Sequence, residues 1–318
     1  MPAAGTVFMF SGQGSQYFQM GRALYDGNDT FRATMARLDE VARQAAGVSV
    51  IESLYSDAHG KGDPFDRTLL THPAIFMVEY SLAQALIEAG VVPSMVLGVS
   101  VGSFAAAAVA GLLDVEDALT AVIQQAMALE QSCEAGGMIA VLADPALFGE
   151  DFLSGRSELA GVNFSSHFVV SARAKELADI EAALKQRGIA CQRLPVAFAF
   201  HSRWMDGAKA PFASFMQSIP ATRGALPLAC CDQTAILSTL DDGFFWDVVR
   251  HPIRFRETIA RLEETAPRRY VDVGPAGTLA TFLKYGTPLA TASTVHSILT
   301  PFGFDQRNLT TVAAALGH

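Results

Sequence analysis

A serine and a histidine stand in sequence settings that suit nucleophilic catalysis. Ser100 lies within Gly98-Val99-Ser100-Val101-Gly102, after the apolar run Ser94–Leu97 and before the helix-forming run Ser103–Ala110. This pattern predicts a strand, a sharp turn and a helix. Small residues two before and two after the serine are typical of a nucleophile elbow. The elbow would place the serine hydroxyl at a helix N-terminus, where backbone N–H groups stabilise an oxyanion. The alternative interpretation is a glycine-rich turn that happens to contain a serine.

A serine hydroxyl is a weak nucleophile until a base takes its proton. His201, in Ala199-Phe200-His201-Ser202, is the natural candidate for that base. A further glycine-rich loop, Gly12-Gln13-Gly14, follows the apolar strand Thr6–Phe10. The loop lacks the Gly-Lys-Ser/Thr of a nucleotide-binding loop, so we do not expect it to bind a nucleotide.

Composition narrows the class of protein. The 318 residues are 50% hydrophobic and 17% charged, which is typical of a globular enzyme. A net charge of −9 argues against nucleic-acid binding, which favours a basic face. The longest apolar run, Phe104–Leu113, is too short to span a bilayer, and no secretory signal is visible. The four cysteines have no C-x-x-C spacing, so we expect no metal site and a reducing cytoplasmic location.

The elements that position these residues alternate between strand-like and helical runs. This alternation predicts an α/β fold with a mainly parallel sheet. The pattern of predicted elements changes near Cys133. From there on, shorter strand candidates and one helix predict a small inserted α+β subdomain. We therefore expect a large domain from residues 1–132 and 201–318, and a small subdomain from residues 133–200. His201 would lie where the insert rejoins the large domain, facing the cleft between the two.

Three motifs together resemble the malonyl-CoA:ACP acyltransferase family. They are the loop Gly12-Gln13-Gly14-Ser15-Gln16, the elbow around Ser100 and the stretch Phe200-His201-Ser202. The resemblance extends through Val273-Gly274-Pro275 near the C-terminus. It implies a hydrolase-like large domain, a ferredoxin-like insert and an active site between them.

The resemblance also implies roles for individual residues. Ser100 and His201 would form a Ser-His dyad, with the histidine oriented by a backbone carbonyl that the sequence does not locate. The backbone N–H groups of Gln13 and Val101 would form the oxyanion hole. The substrate would be an acyl thioester on the phosphopantetheine of an acyl carrier protein or on CoA, with no other cofactor. The family's usual state is a monomer.

Departures from the family pattern concern the acyl pocket. Val99 replaces the family's histidine before the serine, Ser103 its glutamate, and His72 the glutamine of its Gln-Pro-Ala stretch. Gln125 stands at the position of the arginine that pairs with the carboxylate of malonyl groups. Burying a carboxylate without a cation costs several kcal/mol, so this pocket favours a neutral acyl chain. Phe200, by contrast, lies in a stretch that resembles the family's malonyl-type specificity stretch and so favours a malonyl substrate.

These observations predict an enzyme of polyketide biosynthesis that acts in trans on neutral acyl-carrier-protein thioesters. Hydrolysis of the acyl-Ser100 intermediate is favoured over transfer to a second thiol. One alternative is a malonyl-CoA:ACP transacylase that uses Gln125 or His72 in place of the arginine. Another is a catalytically silent module that docks carrier proteins. Carrier proteins are acidic, and seven arginines are candidates for a basic docking patch: Arg187, Arg193, Arg250, Arg254, Arg256, Arg268 and Arg269.

Overall fold

The computed structural model describes residues 4–220, 222–286, 289 and 292–317. Its strands are β1 (Gly5–Phe10), β2 (Met95–Gly98), β3 (Gly136–Val141), β4 (Glu158–Phe164), β5 (His167–Arg173), β6 (Cys191–Arg193), β7 (Leu228–Cys230), β8 (Ala235–Leu237), β9 (Arg268–Asp272) and β10 (Thr294–Ser297). Its α-helices are α1 (Arg22–Gly27), α2 (Asp29–Ala46), α3 (Val50–Leu54), α4 (Thr68–Glu88), α5 (Gly102–Ala110), α6 (Val115–Ser132), α7 (Asp151–Ser154), α8 (Ala174–Gln186), α9 (Lys209–Met216), α10 (Phe244–Arg250), α11 (Phe255–Thr265), α12 (Thr278–Gly286) and α13 (Asp305–Leu316). Two 3₁₀ helices cover Pro145–Gly149 and Arg203–Ala208.

A six-stranded sheet forms the centre of the large domain, in the order β10-β9-β1-β2-β7-β8. Its strands are parallel except β8, which pairs antiparallel with β7. The central strands are short apolar runs with buried residues on both faces, as expected for a parallel sheet covered by helices. The predicted α/β class with a parallel sheet is confirmed. Since parallel strands share one carboxyl edge, the loops after β1 and β2 meet there.

A second sheet, β4-β5-β3-β6, is antiparallel. Helical segments follow β3 and β5, which gives the strand–helix–strand–strand–helix–strand order of a ferredoxin-like unit. All four strands fall within residues 133–200, the segment predicted as the small subdomain.

Some element boundaries differ from those expected. The sequence places the start of a helix at Pro73, but α4 begins at Thr68 and contains Pro73. The buried apolar surroundings of α4 therefore outweigh the backbone hydrogen bond that the proline cannot donate. The expected helix from Arg203 to Gln217 is a 3₁₀ helix followed by the shorter α9. Within the described residues, no helix is both long and apolar enough to cross a membrane.

Gly102 should be intolerant of any side chain. A Cβ at this position would lie 2.4 Å from the Ser11 carbonyl oxygen and 2.5 Å from that of Phe10. Because both obstacles are backbone atoms of the neighbouring loop, Gly102→Ala should destabilise the fold by at least about 1–3 kcal/mol. Urea unfolding measures this. Gly149→Ala is the matched control, since a Cβ there meets nothing within 4 Å. Equal stability of the two variants would contradict the close approach at Gly102.

Candidate active site

Ser100 occupies the turn between β2 and α5 in a left-handed conformation, with φ of +54°. The turn closes through hydrogen bonds from Gly102 N to Val99 O (3.0 Å) and from Ser103 N to Ser100 O (3.0 Å). A non-glycine residue in this region costs on the order of 1–3 kcal/mol and persists where its surroundings enforce it. This turn conformation places the Ser100 hydroxyl at the carboxyl edge of the sheet, before the first turn of α5.

His201 meets Ser100 from the opposite side of the cleft. Its backbone is also left-handed, with φ of +59°, and its N–H donates to Val249 O at 3.1 Å. His201 Nδ1 lies 2.7 Å from the carbonyl oxygen of His251. A carbonyl can only accept, so Nδ1 carries the proton and Nε2 presents a lone pair. Ser100 Oγ donates to that Nε2 at 2.9 Å.

The protonation state of His201 follows from its burial. Its pKa is lowered from 6.5 to about 4, mainly by desolvation, and the nearby charges of His251 and Arg250 act in the same direction. The hydrogen bond to the His251 carbonyl opposes this change only in part. At neutral pH the imidazole is therefore uncharged and able to take the serine proton.

The segment that holds His201 is itself fixed to the large sheet. His251 Nδ1 lies 3.3 Å from Asp232 Oδ1, just beyond β7, and 3.9 Å from Asp247 Oδ1. Arg254 N donates to Cys231 O at 2.8 Å. The role of His251 could not be predicted from the sequence, because a backbone acceptor is not marked by residue type. Its nearest signal is the His251-Pro252 pair, which stops a helix at this point.

The loop after β1 passes close to Ser100. A Cβ built on Gly12 would lie only 2.9 Å from Ser100 Cβ. The Gln13 side chain is held on α4: Nε2 donates to Thr71 Oγ1 (3.1 Å), and Oε1 accepts from His72 Nε2 (2.8 Å). Within the described part of the chain, neither Gln13 N–H nor Val101 N–H donates to a protein acceptor. Both donors thus remain available to a developing oxyanion.

A cleft of about 220 Å³ lies between the two sheets and includes Ser100 and His201. Val99 and Phe200 line it, and so do Asn163, His167 and Phe282. No aspartate, glutamate, lysine or arginine is among the described residues that line it. Across the described residues, no group of three His, Cys, Asp or Glu side chains is arranged to hold a metal ion.

His72 and Gln125 were also expected in the acyl pocket, but the structure places both outside the cleft lining. His72 is fully buried behind Phe200, with ring centroids 5.3 Å apart, and burial lowers its pKa to about 3. Gln125 is fully buried on α6, where Nε2 donates to Phe245 O at 3.3 Å. The expectation came from sequence position alone, which does not give the direction of a side chain.

The seven candidate docking arginines are not equivalent. Arg193 pairs with Glu181 (2.6 Å) and Arg250 with Asp206 (2.5 Å), while Arg187 stacks over Phe152. Arg268 and Arg269 begin β9, so they lie at the edge of the sheet opposite Ser100. Arg254 and Arg256 are exposed and follow Ile253, which lines the cleft. Both are therefore candidates for contact with a partner that docks at the cleft.

Residues 7–315 match the model of the acyl transferase domain family. The chain is 43% identical over 307 residues to the polyketide biosynthesis acyltransferase homolog PksD of Bacillus subtilis, covering 96% of this chain and 95% of that protein. It is 43% identical over 304 residues to the homolog BaeD of Bacillus velezensis, covering 95% and 94%. Both relatives are matched over almost their whole length.

Solved structures give the same result for the fold. A loading acyltransferase from the avermectin modular polyketide synthase superposes with a TM-score of 0.89 at 27% identity, covering 98% of this chain and 99% of that one. The acyl transferase domain of SpnD, solved with a 2-(pent-4-yn-1-yl)malonyl group, gives 0.87 at 26% identity, covering 100% and 79%.

His201 should titrate far below an ordinary histidine. Burial lowers its pKa from 6.5 to about 4, so the ring should stay neutral as pH falls from 7 and become charged only near pH 4. NMR titration of the imidazole signals checks this, with His201→Gln identifying the resonance that belongs to this residue. A midpoint near 6.5 would contradict a buried imidazole held by the His251 carbonyl.

Proposed function

The chain belongs to the acyl transferase domain family, and we propose that it is a serine-dependent enzyme acting on neutral acyl thioesters of an acyl carrier protein in polyketide biosynthesis. One observation carries the proposal: Ser100 Oγ lies 2.9 Å from the free Nε2 of His201 in a cleft with no charged side chain among its described lining residues. The names of PksD and BaeD support the biosynthetic setting.

In the first half-reaction, His201 Nε2 takes the Ser100 proton as Oγ attacks the thioester carbonyl. The backbone N–H groups of Gln13 and Val101 stabilise the negative charge that develops on the carbonyl oxygen. When the carbon–sulfur bond breaks, the imidazolium returns the proton to the leaving thiolate. The products are acyl-Ser100 and a free phosphopantetheine thiol.

In the second half-reaction, His201 activates the group that removes the acyl chain from Ser100. Water gives a free acid and a second carrier thiol gives a new thioester. We favour water, because the cleft offers no cation to hold a dicarboxylic acyl group for delivery to a carrier.

The uncharged lining of the cleft is a more direct argument for a neutral acyl substrate than the identity of residue Gln125. Its polar lining residues include Gln13, Asn163 and Gln192, none of which carries a charge. His167, which also lines it, is kept uncharged at neutral pH because burial lowers its pKa. A malonyl carboxylate would lose its hydration here without gaining an ion pair.

Acetyl- and butyryl-carrier protein should be cleared at least about tenfold faster than malonyl-carrier protein, because an unpaired carboxylate costs more than the roughly 1.4 kcal/mol that a factor of ten represents. Mass spectrometry of the carrier, with chromatography of the released acid, measures this. Release of free acid supports hydrolysis, and acyl transfer to a second carrier supports transfer. Malonyl turnover equal to acetyl turnover would contradict the neutral-substrate proposal.

Ser100→Ala should gain no acyl mass when mixed with any of these thioesters, and it should keep the wild-type unfolding midpoint. His201→Ala should slow acylation by about 10²–10⁴-fold, the usual loss on removing a general base. Intact-protein mass spectrometry after rapid mixing reports both. Near-normal acylation of either variant would contradict the assignment of Ser100 as nucleophile and His201 as general base.

Arg256→Glu should raise KM for acyl-carrier protein several-fold, because charges at the rim of an interface act mainly on association. Turnover of a small acyl thioester without the carrier should not change. Arg187→Glu is the matched control, since Arg187 lies over Phe152 away from the cleft. Equal effects of both variants on the carrier substrate would place the docking surface elsewhere.

A further inference from the structure

Glu79 lies beneath the loop that carries Gln13. It is on α4, with a side chain that is fully buried. Its Oε1 accepts the backbone N–H of Ser11 at 2.7 Å and lies 2.8 Å from Ser11 Oγ. A carboxyl group therefore supports the first residue of the loop proposed to bind the oxyanion.

The contacts continue along the loop through two hydroxyl groups. Ser11 Oγ lies 3.0 Å from Ser15 Oγ, and Ser15 Oγ lies 2.8 Å from the carbonyl oxygen of Gly12. Three oxygen–oxygen contacts thus link Glu79, Ser11, Ser15 and Gly12, and each needs one proton if it is a hydrogen bond.

The protons available to these three contacts can be counted. Gly12 O can only accept, so the Ser15 hydroxyl proton belongs to that contact. The contact between the serines then takes the Ser11 hydroxyl proton. The remaining contact, between Ser11 Oγ and Glu79 Oε1, has no hydroxyl proton left to form it. We propose that Glu79 is a neutral carboxylic acid in the working protein, donates to Ser11 Oγ, and positions the Gln13 loop in that form.

The surroundings of Glu79 favour the neutral form. Its Oε2 has no hydrogen-bond partner among the described residues, so an ionised carboxylate would be buried without compensation. Burial raises its pKa well above the ordinary value, and the charge of Asp272, at the end of β9, raises it further. The hydrogen bond that the Ser11 backbone N–H donates to Oε1 acts in the opposite direction but is the smaller effect. Asp272 is the one titratable group in the described chain found to act on Glu79 through its charge.

Asp272 is better placed to carry a charge than Glu79. Its carboxylate accepts from Gly274 N and Ala280 N, each at 2.8 Å. Burial raises its pKa to about 6, so it is ionised at neutral pH. Ionising Glu79 as well would place two buried carboxylates near each other, which disfavours the second charge.

The consequence for catalysis rests on the proposed function, in which Gln13 N–H binds the oxyanion. A neutral Glu79 keeps negative charge away from that site and holds Ser11 through two contacts. Ionisation would add a repulsive charge behind the loop and release one of the linked protons. We therefore expect acylation to fall on the alkaline side as Glu79 ionises.

The first test measures the carboxyl proton itself. Infrared spectra of the wild-type protein at neutral pH should contain the C=O stretching band of a buried protonated carboxyl group, and the band should be absent in Glu79→Gln. Absence of such a band from the wild-type protein would overturn the proposal. The measurement needs no substrate, and it can be repeated in Ser100→Ala, so its outcome is independent of the proposed function.

The second test uses the dependence of unfolding on pH. A group whose pKa is raised by folding binds its proton in the folded state but not in the unfolded state, so stability is lost as pH rises above the unfolded value. Relative to Glu79→Gln, the folding equilibrium constant of the wild-type protein should therefore fall about tenfold per pH unit. The fall should begin above the pKa that Glu79 has in the unfolded chain and end at the pKa that it has in the folded protein. Urea unfolding at several pH values measures the ratio. A ratio that does not change with pH would show that Glu79 is ionised when folded.

The third test separates positioning from simple packing. The kcat/KM of the wild-type protein for an acyl thioester should decline at alkaline pH, whereas Glu79→Gln should lack that decline. Ser15→Ala gives an independent check if Glu79→Gln does not fold. Without Ser15 Oγ, the Ser11 hydroxyl is free to donate to Glu79, so the infrared band should disappear at a lower pH than in the wild-type protein. A band that titrates at the same pH in both proteins would contradict the proton count.

Discussion

The hydrogen bond between Ser100 Oγ and His201 Nε2 is the interaction on which the rest of the site depends. It joins residues far apart in the chain, and each partner has a left-handed backbone, with φ of +54° and +59°. Two such conformations persist only where neighbouring contacts enforce them. At Ser100 the enforcement comes from the close packing of Gly12 and Gly102. At His201 it comes from the acceptors on Val249 and His251.

Much of this site is visible in the sequence because it depends on residue types that few other settings require. The elbow needs glycines around Ser100, and the first loop needs Gly12 beside it, so both leave a pattern that can be read. The α/β class follows from the alternation of strand-like and helical runs, and the shorter strand candidates after Cys133 predict a small α+β insert. The ferredoxin-like form of that insert is implied by the family resemblance and does not follow from the alternation. What could not be predicted is carried by backbone atoms and side-chain directions. The His251 carbonyl has no residue signature, and the positions of His72 and Gln125 in the sequence do not say which way they face.

Gln125 was expected to line the cleft and does not. This changes the reason for expecting a neutral substrate but not the expectation itself. The sequence argument depended on one missing arginine at one position. The structural argument depends on the whole described lining of the cleft, which has no charged side chain. The second argument is stronger because an arginine from any element could have replaced the missing one, and none of the described lining residues is an arginine. Behind the lining, buried polar atoms of His72, Ser103 and Gln125 have no hydrogen-bond partner within the described residues. A buried polar atom that loses water without gaining a partner costs free energy, so each of these three atoms carries an energetic cost in the folded protein.

The segment from Val249 to Arg254 connects the chemistry to the arrangement of the two sheets. Its first residues hold His201, and its last residue donates to the carbonyl oxygen of Cys231, just after β7. Between them, Ile253 N donates to Ala160 O at 2.8 Å, and Val162 N donates to Ile253 O at 3.0 Å, so the segment also pairs with β4 of the small sheet. Ile253 in turn lines the cleft. A displacement of the small sheet would therefore act on the same few residues that orient the His201 ring. The width of the cleft and the geometry of the proton transfer are for this reason not independent properties of the molecule.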